Sequence, residues 1–262
     1  MQIKVLGCSG GIGDGRQTTS FLIDDDILID AGSGVTLLSR AALARINHIF
    51  ITHTHLDHIL GLPLLLDTVA GDRQGPVFLH AIPEVLEILK DHLFNWRIWP
   101  DFSRIPSVDE PFMCYAPVPL GQTFRLADAD GGVREITPIP AHHVVPTAGY
   151  HLRGPIGSLL FSGDTNSHPV LWELAALIPN LLHLVVECSF GNEQRLVANA
   201  SRHYHPTELA TDLAGLAVGP KVWITHLKPG AEADIMSELH AEIGLIAAHD
   251  VQALMQGQVL KI

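Results

Sequence analysis

The chain has 262 residues, of which 47% are hydrophobic and 17% charged, with 28 acidic against 16 basic residues and a formal net charge of −12. That length and apolar content can bury the core of one sandwich-type domain over residues 1–262, and the acidic balance disfavours a broad electrostatic footing on nucleic acid. No apolar run approaches the length of a membrane span, and the strand-like start has no basic flank, long apolar core or small-residue cleavage site, so a cytoplasmic location away from membranes is expected. Cys8, Cys114 and Cys188 are odd in number and widely spaced, which reads as small buried residues rather than a disulfide or metal pattern.

Residues 3–30 read as two or three short strands, with the glycine-rich stretch 7–13 between them. No Gly-Lys-Ser/Thr follows that stretch, so a tight strand-end turn is expected there rather than a nucleotide loop. Asp24-Asp25-Asp26 reads as a hairpin turn joining Phe21-Leu22-Ile23 to Ile27-Leu28-Ile29. Ile49, Phe50 and Ile51 form a buried strand that runs into His53-Thr54-His55-Leu56-Asp57-His58 and then the apolar segment 59–69. Helices are predicted over 83–93, 169–177, 206–216 and 231–246.

An insertion at about 94–118 carries Phe94, Trp96, Trp99, Phe102, Phe112 and Tyr115, interleaved with Arg97, Arg104 and several prolines. Aromatic faces suit a purine and an arginine can meet a phosphate. One expectation is therefore a lid or substrate-binding element in which Trp96, Arg97 and Trp99 touch substrate. The other is a hydrophobic clamp on the core or on the second subunit of a homodimer.

The densest chemistry lies in His53 to His58, where four ligand-type residues stand between two strongly apolar segments. In an extended stretch His53 and His55 point the same way, because side chains alternate with period 2, and can grip one ion together. If a helix starts after them, Asp57 and His58 project in another direction, beside the first pair, where a second ion fits. Imidazole suits zinc, iron or manganese, and the carboxylate adds a hard oxygen that helps hold a bridging water. Two divalent ions are expected, zinc first, with manganese or iron as alternatives.

The run His53-Thr54-His55-Leu56-Asp57-His58 resembles the His-x-His-x-Asp-His signature of the metallo-β-lactamase superfamily. The resemblance implies an α/β fold, an αββα sandwich of two mixed sheets with outer helices. It continues at Asp30-Ala31-Gly32, in the segment His143-Val144-Val145-Pro146-Thr147-Ala148-Gly149-Tyr150, in Ser162-Gly163-Asp164-Thr165 after the apolar strand 159–161, and in Thr225-His226 after a strand over 221–224. By that resemblance His143 completes the shell of the first ion, Asp164 bridges the two, and His226 is the last ligand of the second. Together with His53, His55, Asp57 and His58 this makes seven ligands. His142 reads as a supporting or surface residue.

Within the superfamily, Glu187-Cys188-Ser189-Phe190 and Thr225-His226-Leu227-Lys228-Pro229 look most like class II cyclic-nucleotide phosphodiesterases, with Leu227 in place of isoleucine. This implies hydrolysis of 3′,5′-cyclic AMP or GMP to the 5′-nucleotide, with His203 ahead of the helix at 206 as the acid for the leaving oxygen. Asp57 would help to hold the attacking water. An imidazole has a suitable unperturbed pKa for the acid role. His205 stands where those relatives have Thr or Ser and is the other candidate, or a substrate contact. The rival readings are a transfer-RNA 3′-processing endonuclease of the tRNase Z type, similar over 143–150, and a lactone or β-lactam hydrolase using the same ions.

Overall fold

Strands that are apolar on both faces must be covered on both, and this chain meets that demand twice. In a computed structural model, residues 1–127, 132–216, 219–246 and 249–262 are described, apart from the side chains of 245 and 246. The first sheet sets β1 (Gln2–Gly7), β2 (Ser20–Ile23), β3 (Ile27–Ile29), β4 (His48–Phe50), β5 (Val77–Ala81) and β6 (Met113–Pro117) side by side. The last strand, β14 (Val259–Lys261), joins its edge at β1. The second sheet runs β7 (Phe124–Ala127), β8 (Val133–Pro140), β9 (Ala148–Arg153), β10 (Ser158–Phe161), β11 (Leu181–Glu187), β12 (Lys221–Thr225) and β13 (Val251–Ala253). Both are mixed: β14-β1-β2-β3 and β7-β8-β9-β10 pair antiparallel, while β3 to β6 and β10 to β13 pair parallel.

Period-2 alternation sorts the apolar residues into three layers. Ile27, Ile29 and Phe50 pack between the sheets with Ile136, Tyr150, Leu152, Leu159, Phe161 and Val185. Leu28, Ile49 and Ile51 point outward, beneath α3 (Leu62–Val69) and α4 (Pro83–His92). On the other outer face Leu160, Leu184, Val186 and Ile224 meet α5 (Pro169–Leu177), α7 (Pro206–Leu213) and α8 (Glu232–Ile246). The short helices α1 (Arg40–Leu43), α2 (Leu56–Ile59) and α6 (Arg195–Ser201) lie within the crossovers. This is the expected αββα sandwich. Among the described residues no helix is long and apolar enough to cross a membrane.

Parallel strands require crossovers, so loops leave β3, β4, β10, β11 and β12 from their C-terminal ends and gather there. Two bonds fasten the sheets at that rim: the Ala148 N–H donates to Thr52 O at 3.0 Å, and the fully buried Tyr150 hydroxyl donates to Ile51 O at 2.7 Å. The same logic bears on the two readings of 94–118, lid or clamp. α4 starts at the C-terminal end of β5 and must carry the chain back to the start of its parallel neighbour β6, where Phe112 O accepts from Val77 N–H at 2.9 Å. Residues 94–112 therefore sit at the strand ends opposite His53 to His58. Phe94 and Phe102 are buried in the core under α4, and Trp99, Phe112 and Tyr115 pack against it. Trp96 is 61% exposed and Arg97 neighbours it at that remote end, so Trp96, Arg97 and Trp99 are not placed as substrate contacts.

Replacing Tyr150 with Phe leaves the buried Ile51 carbonyl without its donor. Urea unfolding is expected to show a loss of about 1–2 kcal/mol with the far-UV spectrum unchanged.

Candidate metal centre

The buried strand ends carry two carboxylates that cannot remain unpaired. Asp30, directly after β3, and Glu187, the last residue of β11, are both fully buried. Each holds one histidine directly and a second through a hydroxyl. Asp30 Oδ2 accepts from His58 Nδ1 at 2.6 Å and from Thr52 Oγ1 at 2.8 Å, and Thr52 Oγ1 in turn lies 3.0 Å from His53 Nδ1. Glu187 Oε1 accepts from His203 Nδ1 at 2.6 Å, and its Oε2 accepts from Ser189 Oγ at 2.9 Å, which lies 2.8 Å from His226 Nδ1. An ionised carboxylate only accepts, so each Nδ1 carries the proton and each Nε2 is left to face the interior of the site. His143 is set in the same way by Arg202 O, 3.1 Å from its Nδ1.

The freed nitrogens converge. His53, His55, His143 and Asp164 form one group whose ligand-type atoms lie within 4.8 Å of one another, and Asp57, His58 and His226 form a second. Asp164 lies between them, with Oδ2 at 3.6 Å from His53 Nε2 and 3.3 Å from His226 Nε2, and Oδ1 at 3.3 Å from His58 Nε2. Asp57 Oδ2 reaches His226 Nε2 at 3.1 Å. The backbone explains the split. Residues 53–55 lie outside helix and strand, with His55 extended; α2 begins at Leu56, and Asp57 and His58 ride its single turn.

The donor set fits cations. Among the described residues the buried His53 Nε2 has no hydrogen-bond partner, and the buried His58 Nε2 faces only Asp164 and Asp57 carboxylate oxygens, at 3.3 and 3.9 Å. His143 Nε2 and His55 Nδ1 stand 3.2 Å apart. Burial, and then neighbouring histidines, hold His53 well below the ordinary imidazole value; burial pushes His143 down to about 4 and lowers His55. Three neutral rings thus offer lone pairs to one point. Around the second group burial opposes charge, but Asp164 and Asp30 outweigh it and hold His58 well above its ordinary value. Burial likewise opposes the charge on Asp164, yet His226 and His58 keep its carboxyl well below the usual range.

His203 joins this centre. Its ring stacks on His226 at 5.2 Å and meets His143 edge-on at 4.9 Å, and it shares a 4.8 Å group with Asp164 and His226. Burial lowers its pKa, but Glu187 outweighs burial and raises it. His205 instead caps α7, with Nδ1 3.0 Å from Asn192 Oδ1, outside the groups of ligand-type atoms. His142, exposed, pairs with Asn166 Oδ1 at 2.7 Å. The orienting roles of Asp30, Thr52, Glu187 and Ser189 escaped sequence reasoning. The available signal was a carboxylate placed where an apolar strand ends.

Asp30→Asn removes the charge that fixes His58, and metal affinity is expected to fall by about 10–100-fold in a calorimetric titration. In the intact chain the proton on His58 has to leave before Nε2 can bind an ion. Titrations in buffers of different ionisation enthalpy should therefore register proton release, with affinity strengthening as pH rises through neutrality.

Residues 25–227 match the family described as "Beta-lactamase superfamily domain". A Yersinia pestis protein named "Probable 3′,5′-cyclic-nucleotide phosphodiesterase" is 30% identical over 130 residues, covering 39% of this chain and 36% of that protein. The match thus spans well under half of that relative's length. A "Ribonuclease Z" of Mycolicibacterium paratuberculosis is 29% identical over 257 residues, covering 89% of this chain and 88% of the relative. Among solved structures, unliganded yeast PDE1 superposes with a TM-score of 0.83 at 20% identity, covering 100% of this chain and 99% of that one, a likeness of fold. With its matched span taking in β3 to β12 and both histidine clusters, this chain belongs to the metallo-β-lactamase superfamily.

Proposed function

We propose that this protein is a binuclear metal-dependent phosphodiesterase that hydrolyses 3′,5′-cyclic nucleotides to 5′-nucleotides. The observation that carries the reading is the seat of His203, an imidazole bonded to the buried Glu187 carboxylate and packed against His143 of one cluster and His226 of the other. Two divalent ions, zinc or else manganese or iron, would be held by His53, His55 and His143 and by Asp57, His58 and His226, with Asp164 between. When bound, they supply Lewis-acid charge and make water acidic enough to attack at neutral pH.

The chain's own residues do the rest. Glu187 fixes Nδ1 of His203, so Nε2 is the atom that gives its proton to the departing 3′ oxygen. The raised pKa keeps that proton in place near neutrality. Asp57, on the first turn of α2, presents its carboxylate to the interior, where it can orient the attacking water. The small cyclic substrate is favoured by the acidic balance of the chain and by the Yersinia relative's name. A transfer-RNA 3′-endonuclease is the second reading, favoured by the ribonuclease Z alignment along 89% of the chain.

Protein loaded with zinc or manganese should turn over cyclic AMP or cyclic GMP. No turnover from a fully metallated sample, with cleavage of precursor tRNA instead, would give the second reading the site. His203→Ala is expected to lower kcat on a cyclic nucleotide by about 10²–10⁴-fold. The same variant should lose far less on bis-p-nitrophenyl phosphate, whose leaving group departs without a proton. In the parent enzyme kcat should fall as pH rises through the raised pKa of His203, and Glu187→Gln should move that limb to lower pH.

A further inference from the structure

The glycine-rich turn that follows β1 lies along the end of β12 and touches one ligand of the second cluster. His226 has φ +61°, in the left-handed region where a residue with a side chain is strained unless its surroundings hold it. What holds it is this turn. The His226 N–H donates to Cys8 O at 2.7 Å, and Thr225 Oγ1 donates to the same carbonyl at 3.1 Å. One residue further on, Leu227 O accepts from Gly10 N–H at 3.0 Å and from Ser9 Oγ at 3.3 Å. Lys228 Nζ then closes the strap by donating to Gly10 O at 2.7 Å.

Gly10 sets how close the strap can come. A Cβ at that position would stand 2.4 Å from the carbonyl oxygen of His226 and 2.8 Å from its Nδ1, the nitrogen that Ser189 engages. Any side chain there must move either the backbone or the ring of His226. None of these contacts involves His53, His55 or His143, which hang from β4 and from the segment before β9.

We propose that Gly10 and Lys228 are positioning residues that hold His226 in the left-handed state the second cluster requires, and so set the affinity of the second ion separately from the first. The inference rests on the two-ion reading above and adds to it which part of the fold decides the affinity of the second position. Lys228 keeps the strap seated without being a ligand, and Gly10 admits it by lacking a side chain.

The test is a cobalt(II) titration of the metal-free full chain, followed by calorimetry and visible absorption, on wild type, Gly10→Ala, Lys228→Met and Lys228→Arg. Lys228→Met retains the apolar stem, so it stands in should Gly10→Ala fail to fold. The expected result is two ions for wild type, with the second ion bound about 10–100-fold more weakly in Gly10→Ala and Lys228→Met, the first unchanged, and recovery in Lys228→Arg. Both ions weakening together, or wild-type affinity at both positions in both variants, would overturn the inference. A wild type that binds fewer than two ions overturns the two-ion reading and this inference with it. Because ion binding is the readout, a wild type that binds two ions without hydrolysing cyclic nucleotides overturns the substrate reading alone.

Discussion

Everything at the functional rim depends on two buried carboxylates, one at the end of a strand in each sheet. Asp30 and Glu187 have no exposed surface, and an unpaired charge in such a place would cost several kcal/mol. Each is satisfied by one histidine directly and by one hydroxyl, Thr52 or Ser189, that reaches a second histidine. The same bonds that make the carboxylates tolerable fix the tautomers of His58, His53, His203 and His226. Stability and chemistry are therefore not separable here: the interactions that let the sandwich close at its rim also aim four imidazole nitrogens inward.

That arrangement resolves an electrostatic problem. Histidines crowd around Asp164 in a chain with a formal net charge of −12. Without ions, burial keeps the first three rings neutral while His58 retains a proton between Asp30 and Asp164. Divalent ions would replace that proton and give the converging lone pairs a partner, offsetting locally an acidic balance that would otherwise repel a phosphodiester. The overall charge and the local centre thus act in opposite senses, which suits a small anionic substrate better than a long polyanion.

How much of this was legible in the sequence depended on distance along the chain. His53, His55, Asp57 and His58 are adjacent, so strand periodicity followed by a helix start places them almost unaided. His143, Asp164 and His226 were legible as strand-end residues because their motifs resemble those of the superfamily. The pairings of Asp30 with His58 and of Glu187 with His203 join residues from separate elements, and nothing in local pattern specifies which buried carboxylate meets which ring. Of the two readings of the aromatic stretch, lid or clamp, its packing against the core fits the clamp, and the choice between them is topological. Its composition suits a substrate lid as well, but a parallel crossover returns the chain to the far end of β6, and composition carries no information on which end of a sheet a loop occupies.

On the proposed reading, the two clusters, joined at Asp164, form one two-ion centre. The most direct measurement is the anomalous scattering of zinc in crystals of the metal-loaded protein. Two peaks are expected, one bonded to His53, His55 and His143 and the other to Asp57, His58 and His226, each with Zn–N distances of about 2.0–2.1 Å and both touched by Asp164. A single peak, or a second ion bound outside Asp57, His58 and His226, would contradict it.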